Sequence, residues 1–219
     1  MINGIIHDYP IGQFKLPVFE GLGHREITHG HQHAFIGFAG QLVGQNSTVA
    51  QGHGLQIVQH FFNENRIRQA ASSLVAAQFC VNESVQYAQE RKPFGKALAT
   101  NQGIQFPLVE LQAQCDMLRA LIHKTAWQMD TYGAFSVSDK VSICNYVANR
   151  LCCDAADRAM QVHGGLGYSR HKPFEHIYRH HRRYRITEGA EEIQMRRIAG
   201  YLFGFMKQRA PKGVDETRR

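Results

Sequence analysis

Nowhere in the 219 residues is there a run of the roughly 18 to 20 consecutive apolar side chains that a membrane span needs. The first residues, MINGIIHDYP, lack a basic flank followed by an apolar segment of signal length. The two absences together lead us to expect a soluble, intracellular chain. Paired cysteines are missing as well: Cys80, Cys115, Cys144, Cys152 and Cys153 form no Cys-x-x-Cys motif, and an odd number cannot all pair. They are expected to be small core residues in a reducing compartment, with no disulfide or metal role. Acid is in short supply, with 18 Asp and Glu against 25 Lys and Arg, for a formal charge of +7. That balance suits an anionic partner, whether nucleic acid, an acidic membrane surface or a phosphate-bearing small molecule. Disorder is excluded as the default by an apolar share of 43%, ordinary for a globular core.

Hydrophobic periodicity divides the chain. Residues 1–54 are rich in Gly and His, with short apolar runs (FKLPVF, HAFIGFAGQLVG) broken by Gly and Pro, which is strand-and-turn chemistry. Two or three strands bury little alone, so this segment is expected to be the short remnant of a β domain. From about Leu55 the period changes to three and four: Ile67, Ala70, Ala71, Leu74, Ala77, Val81, Val85 and Ala88 form one stripe, which RKPFGK ends. A second helix is expected after Asn101, a plausible cap, with Leu108, Leu111, Cys115, Leu118, Ile122, Ala126 and Met129 inward and Pro107 early in it. Ser138 is expected to cap a third, carrying Val141, Cys144, Ala148, Leu151, Ala155 and Ala159 and stopping near HGGLG. A short helix begins at KPFEH, and Ile193, Arg197, Tyr201 and Phe205 mark a last one. The expected fold is mainly α: an antiparallel four-helix-bundle type domain over 55–208, with a flexible tail at 209–219.

Four segments taken in order, ENRIRQAASSLVAAQFCVNESVQYAQERKPFGKAL, NQGIQFPLVELQ, AMQVHGGLGYSRHKPFEHIYRHHRRYR and ITEGAEEIQ, resemble the flavin-dependent acyl-CoA dehydrogenase family. The likeness runs from Gly52 to Gly204, and FKLPVFEGLGHREITHGHQHAFIGFAGQLVGQ resembles the last strands of that family's middle β domain. It implies the C-terminal half of such an enzyme, since the family's N-terminal helical domain and most of its β domain have no counterpart here. It also implies FAD as cofactor, an acyl-CoA substrate, an electron-transferring flavoprotein as oxidant, and a homodimer or homotetramer.

The resemblance carries roles residue by residue. Glu188 in Thr-Glu-Gly matches the base that removes the α-proton of an acyl thioester while hydride leaves the β-carbon for the flavin. An unaided carboxylate is a weak base toward C–H, so its site must exclude water and raise its pKa. Gly189 then lets backbone approach the thioester. Some members place the base instead at the position of Asn65, which cannot serve. Asn63 and Arg66 match acyl-CoA contacts, although many relatives carry Asp at the first. Arg91 and Phe94 in RKPFG and Gln102 match residues at the diphosphate and adenosine end of FAD, where a guanidinium suits phosphate. Gln161, Val162, His163, Gly164 and Gly165 match the segment that wraps the adenosine end of a neighbouring subunit's FAD. Ala190 and Glu192 stand at flavin-contacting positions where relatives carry Thr and Gln, so a hydroxyl is lost and a charge gained.

Plainer explanations exist for each feature. Glu188 could be an acid at a helix N-terminus, like Glu191 and Glu192; Asn-Glu-Asn-Arg an exposed polar turn; RKPFG a helix stop; and Gly164–Gly165 a C-cap. His29, His31 and His33 would share one strand face, yet no Cys or acidic partner is nearby and no metal site is expected. YRHHRRYR scatters its arginines around a helix axis, which argues against nucleic acid. The alternatives to a dehydrogenase are a non-catalytic helical oligomerisation module and an acyl-CoA oxidase using the same base.

Overall fold

The computed structural model describes residues 54–206, with side chains from residue 58 onward. The β remnant expected over 1–54, with its histidines, and the tail expected at 209–219 lie outside the described residues. Among the described residues six α-helices follow one another: α1 (Gly54–Glu90), α2 (Gln102–Tyr132), α3 (Ser138–His163), the single turn α4 (Gly165–Tyr168), α5 (Phe174–Arg182) and α6 (Glu191–Leu202). Short 3-10 turns at Leu98–Thr100 and Arg183–Arg185 interrupt the connections.

Consecutive long helices are antiparallel, so α1 and α3 run the same way. Asn145 lies beside Arg66 and Gln69, Asn149 beside Ser73, and His163 beside Tyr87, ascending both helices together. Their interface is the most extensive in the bundle. It can be close because α3 carries small buried side chains, Ala148, Cys152, Ala155, Ala156 and Ala159, all at most 1% exposed, which let backbones approach. The five cysteines are free and buried. Burial pushes the thiols up, to about 12 for Cys80 and about 11 for Cys115 and Cys144, so they stay protonated and inert.

The fourth side of the bundle is built from two pieces in series. α5 descends along α3 and α1, with Phe174 against Phe79 and His163 at its start and His181 on Ser73 at its end. α6 continues downward, from Glu191 beside Arg150 to Tyr201 beside Ser138. Between them the backbone breaks at residues 183–190, and that break holds Glu188.

The apolar stripes of α2 and α3 are buried largely as their spacing predicts, and α3 stops at His163 with Gly164 at φ 59. Several local expectations differ. Asn101 precedes α2 but makes no capping bond. Ser138 is the first helical residue, not the cap, and its hydroxyl instead pairs with Tyr201 Oη at 2.9 Å. In α6 Ile193 is exposed and Phe205 lies past the helix end. The buried face carries Glu191, Gln194 and Gly200: Arg150 on α3 holds the Glu191 carboxylate, and Gln194 donates to the Gly189 carbonyl in the break before α6.

One close approach makes a test. A Cβ added at Gly167 would lie 2.7 Å from both the Cβ of His163 and the carbonyl oxygen of Met160. Backbone cannot yield as a side-chain tip can, so Gly167→Ala is expected to cost roughly 1–3 kcal/mol. A melting temperature equal to that of the parent would show that the α3–α4 junction gives way freely.

Candidate active site

The break between α5 and α6 is shaped by polar anchors from other helices. Asn149 on α3 donates Nδ2 to the carbonyl of Tyr184 at 3.1 Å, and its Oδ1 accepts from Ser73, whose hydroxyl also meets His181 Nδ1 at 2.9 Å. Since the Ser73 proton goes to Asn149, His181 is the donor in that contact and carries its proton on Nδ1. Burial lowers the pKa of His181 to about 4, so the network stays neutral. Glu191 opens α6 and accepts from both Arg150 (3.1 Å) and Arg185 (2.8 Å). Those bonds hold its carboxyl at about 2.

Glu191 therefore makes the fold acid-sensitive. Its folded pKa lies below the ordinary 4.5, so its contribution is complete above that value and fades as pH falls toward 2. With Arg150 partly exposed and screened, Glu191→Gln is expected to cost roughly 2 kcal/mol at neutral pH. The gap between the variant's melting temperature and the parent's should narrow steadily below about pH 4.5. A gap independent of pH would rule out the ion pairs as its source.

Between these anchors Glu188 adopts φ 58, left-handed backbone that no other described non-glycine residue shares, and Gly189 follows at φ 97. The conformation is held on both sides. Arg66 Nη2 on α1 donates to the Glu188 carbonyl at 2.6 Å, and Gln194 Nε2 on α6 donates to the Gly189 carbonyl at 2.9 Å. Strain of this kind persists only where surroundings over-determine it. The Glu188 carboxylate points inward, with Oε1 accepting from Asn65 Nδ2 and Oε2 buried without a partner among the described residues. Burial raises its pKa, against the Asn65 bond and the charge of Arg66.

Asn63 and Arg66 are 0% and 3% exposed, so this stretch is no exposed polar turn. Asn63 Oδ1 accepts from Arg66 (3.5 Å) and from Arg197 (3.4 Å), while Arg197 Nη2 reaches Gln59 at 2.7 Å. Burial and the neighbouring Arg197 bring Arg66 down to about 10, against the pull of Glu188. Arg66 Nε, Thr187 Oγ1, Glu188 Oε2 and Gln194 Oε1 are all buried without partners among the described residues. Such a concentration of unmet polar atoms is what a site awaiting a polar ligand leaves behind.

The remaining expected residues gather at the other end of the bundle. Arg91, Phe94 and Gln102 are exposed around the α1–α2 turn, Phe94 at 95%. Gln161, Gly164 and Gly165 are exposed where α3 ends, but Val162 and His163 turn into the core, the imidazole stacked on Tyr87 at 4.2 Å. Side chains added at Gly164 or Gly165 would meet nothing within 4 Å. A groove of about 470 Å3 between α1 and α2, lined by Val85, Gln89, Ile104, Gln105 and Leu108, also lies at this end. The helical rise puts the two clusters about 36 Å apart along α1. Ala190 and Glu192 sit beside Glu188, Glu192 exposed at the start of α6.

Known proteins carry the same bundle. Residues 52–203 match the family described as acyl-CoA dehydrogenase, C-terminal domain. The chain belongs to the acyl-CoA dehydrogenase family. It is 32% identical to the Mycobacterium tuberculosis protein named "Probable acyl-CoA dehydrogenase FadE2" over 77% of this chain and 42% of that one. It is 31% identical to the caffeyl-CoA reductase–Etf complex subunit CarC of Acetobacterium woodii, over 63% of this chain and 36% of that one. The glutaryl-coenzyme A dehydrogenase–glutaryl-CoA complex superposes with a TM-score of 0.69 at 28% identity, covering 73% of this chain and 40% of the other. This chain thus spans about two fifths of the length of these relatives. Among the described residues no helix is long and apolar enough to cross a membrane, and no cluster of His, Cys, Asp or Glu could hold a metal.

Proposed function

We propose that the chain carries the proton-abstracting part of an FAD-dependent acyl-CoA dehydrogenase, with Glu188 as the base. The observation that supports this is the state of its carboxylate: buried, raised in pKa, one oxygen held by Asn65 and the other without a partner. A base needs a free, poorly solvated oxygen, and a carboxylate fully paired with arginine, as Glu191 is, offers none. Arg66 and Asn63 are proposed as acyl-CoA contacts, and the backbone of Gly189 as the close approach to the thioester.

The residues present fit FAD. Exposed Arg91 suits the diphosphate, while Phe94, Gln102, Gln161 and the open glycines Gly164 and Gly165 offer a ring, amides and bare backbone to the adenosine end. Val162 and His163 are proposed to support that segment from beneath, since their side chains face the core. Ala190 and Glu192 are proposed beside the flavin ring. When bound, FAD supplies the acceptor for the β-hydride. The spacing along α1 favours the two clusters serving different cofactor molecules, which requires a homodimer or homotetramer. Exposed Val109, Met117 and Trp127 on α2 favour such association, and would equally serve a chain that is only a helical oligomerisation module. The likeness to an Etf-complex subunit supports an electron-transferring flavoprotein as oxidant.

The absorption spectrum after incubation with FAD and desalting, followed by anaerobic acyl-CoA, tests this. A retained flavin band that bleaches is expected. A colourless protein would leave only the oligomerisation module.

A further inference from the structure

We infer that Asn65 is a positioning residue for Glu188: its amide holds Oε1, leaving Oε2 as the oxygen that takes the proton. The inference rests on the proposal that Glu188 is the base. Adjacent residues of α1 grip the same glutamate twice, Asn65 at the carboxylate and Arg66 at the main-chain carbonyl. On a helix neighbouring side chains diverge by about 100 degrees, so the two bonds fix the side chain and the backbone from separate directions. A glutamate in left-handed backbone would otherwise keep several rotamers open, and a base must be held within reach of one C–H bond. Glu64, next in line, is turned away to His60 at 3.3 Å and Arg68 at 3.7 Å, so it adds no second carboxylate there.

The division of labour follows from the two oxygens. Oε1 is occupied by a donor, whereas Oε2 is buried and unmet. When the α-carbon C–H bond breaks, its proton passes to Oε2 and the electron pair stays with the substrate. An amide donor also favours the ionised carboxylate, counteracting the rise that burial causes. The charged groups facing Glu188 are Arg66 from α1 and, behind it, Arg197 from α6, while the neutral Asn145 of α3 holds the Arg66 carbonyl.

The test is a pH titration of the full chain, without flavin or acyl-CoA, carrying carboxyl-13C glutamate, with the Glu188 resonance identified by its loss in Glu188→Gln. Asn65→Ala removes the donor and is expected to move the midpoint to higher pH. Asn65→Asp keeps the shape and should move it higher still, because two carboxylates in contact share one proton. Midpoints equal to the parent's in both variants overturn the inference, and so does a change in melting temperature with the midpoint unmoved. If Asn65→Ala does not fold, the isosteric Asn65→Asp decides alone. The titration needs no catalysis, so a fully active Glu188→Gln enzyme would refute the base assignment and leave the titration result standing.

Discussion

Glu188→Gln is expected to abolish acyl-CoA-dependent flavin reduction, by about a thousandfold or more, while leaving the fold as stable as before or slightly more so. The two halves of that result have one cause. The glutamine amide can still accept from Asn65 through its oxygen, and the backbone bonds from Arg66 and Gln194 do not involve the side chain at all. What disappears is the ability to take a proton. Burial raises the carboxyl pKa of Glu188, so the folded chain holds that proton more tightly than the unfolded chain does. Stability contributed by the protonated form is then lost as pH rises from the ordinary carboxylate range through the raised folded value. Glutamine carries no such penalty, so the variant's advantage in melting temperature should grow with pH and vanish in acid. Rapid anaerobic mixing of FAD-loaded protein with acyl-CoA measures the first half, and thermal melts across pH the second. Flavin reduction at a near-parental rate would remove Glu188 from the mechanism.

The largest loss of stability is expected at Phe174. It is 0% exposed and the bulkiest of the fully buried side chains among the described residues, lying against His163 at 4.6 Å and Phe79 at 6.5 Å between ring centroids. It is the first residue of a nine-residue helix in which only Phe174 and His181 are buried, with Ile177 and Tyr178 packed partly buried against the core between them. Phe174→Ala leaves a cavity in a core of small residues that cannot collapse to fill it, at a cost of about 3–5 kcal/mol. For a chain of this size that is a fall of roughly 6–20 °C in melting temperature. Because α5 leads directly into the break that holds Glu188, flavin-linked activity should fail at a lower temperature in the same variant. A fall below about 3 °C would mean that His181 within α5 and Lys172 just before it carry the anchoring instead.

Much of this was legible in the chain itself, and the limits are instructive. The period of three and four marked the inner faces of α1, α2 and α3, except at Val85, which lies exposed on α1, because which side of a helix is apolar is written locally. The Gly164 stop and the Thr-Glu-Gly segment were equally visible. Ile193 and Phe205, by contrast, follow a helical spacing and yet lie outside, while Glu191 and Gln194 are buried. Hydrophobicity cannot reveal that inversion, since it depends on Arg150, 41 residues away, and Arg185 reaching one carboxylate. Ser138 has the composition of a cap, but a tyrosine 63 residues on takes its hydroxyl.

The sequence by itself determined a helical bundle with a carboxylate at a chain break, because periodicity, glycine stops and short motifs act over a few residues. Only the tertiary structure decided that Asn65 and Arg66 meet Glu188 across more than 120 positions, and that the far cluster at Arg91 lies at the opposite end. Polar pairing over such separations leaves no local pattern, since a hydrogen bond specifies its partner by geometry and not by neighbourhood in the chain.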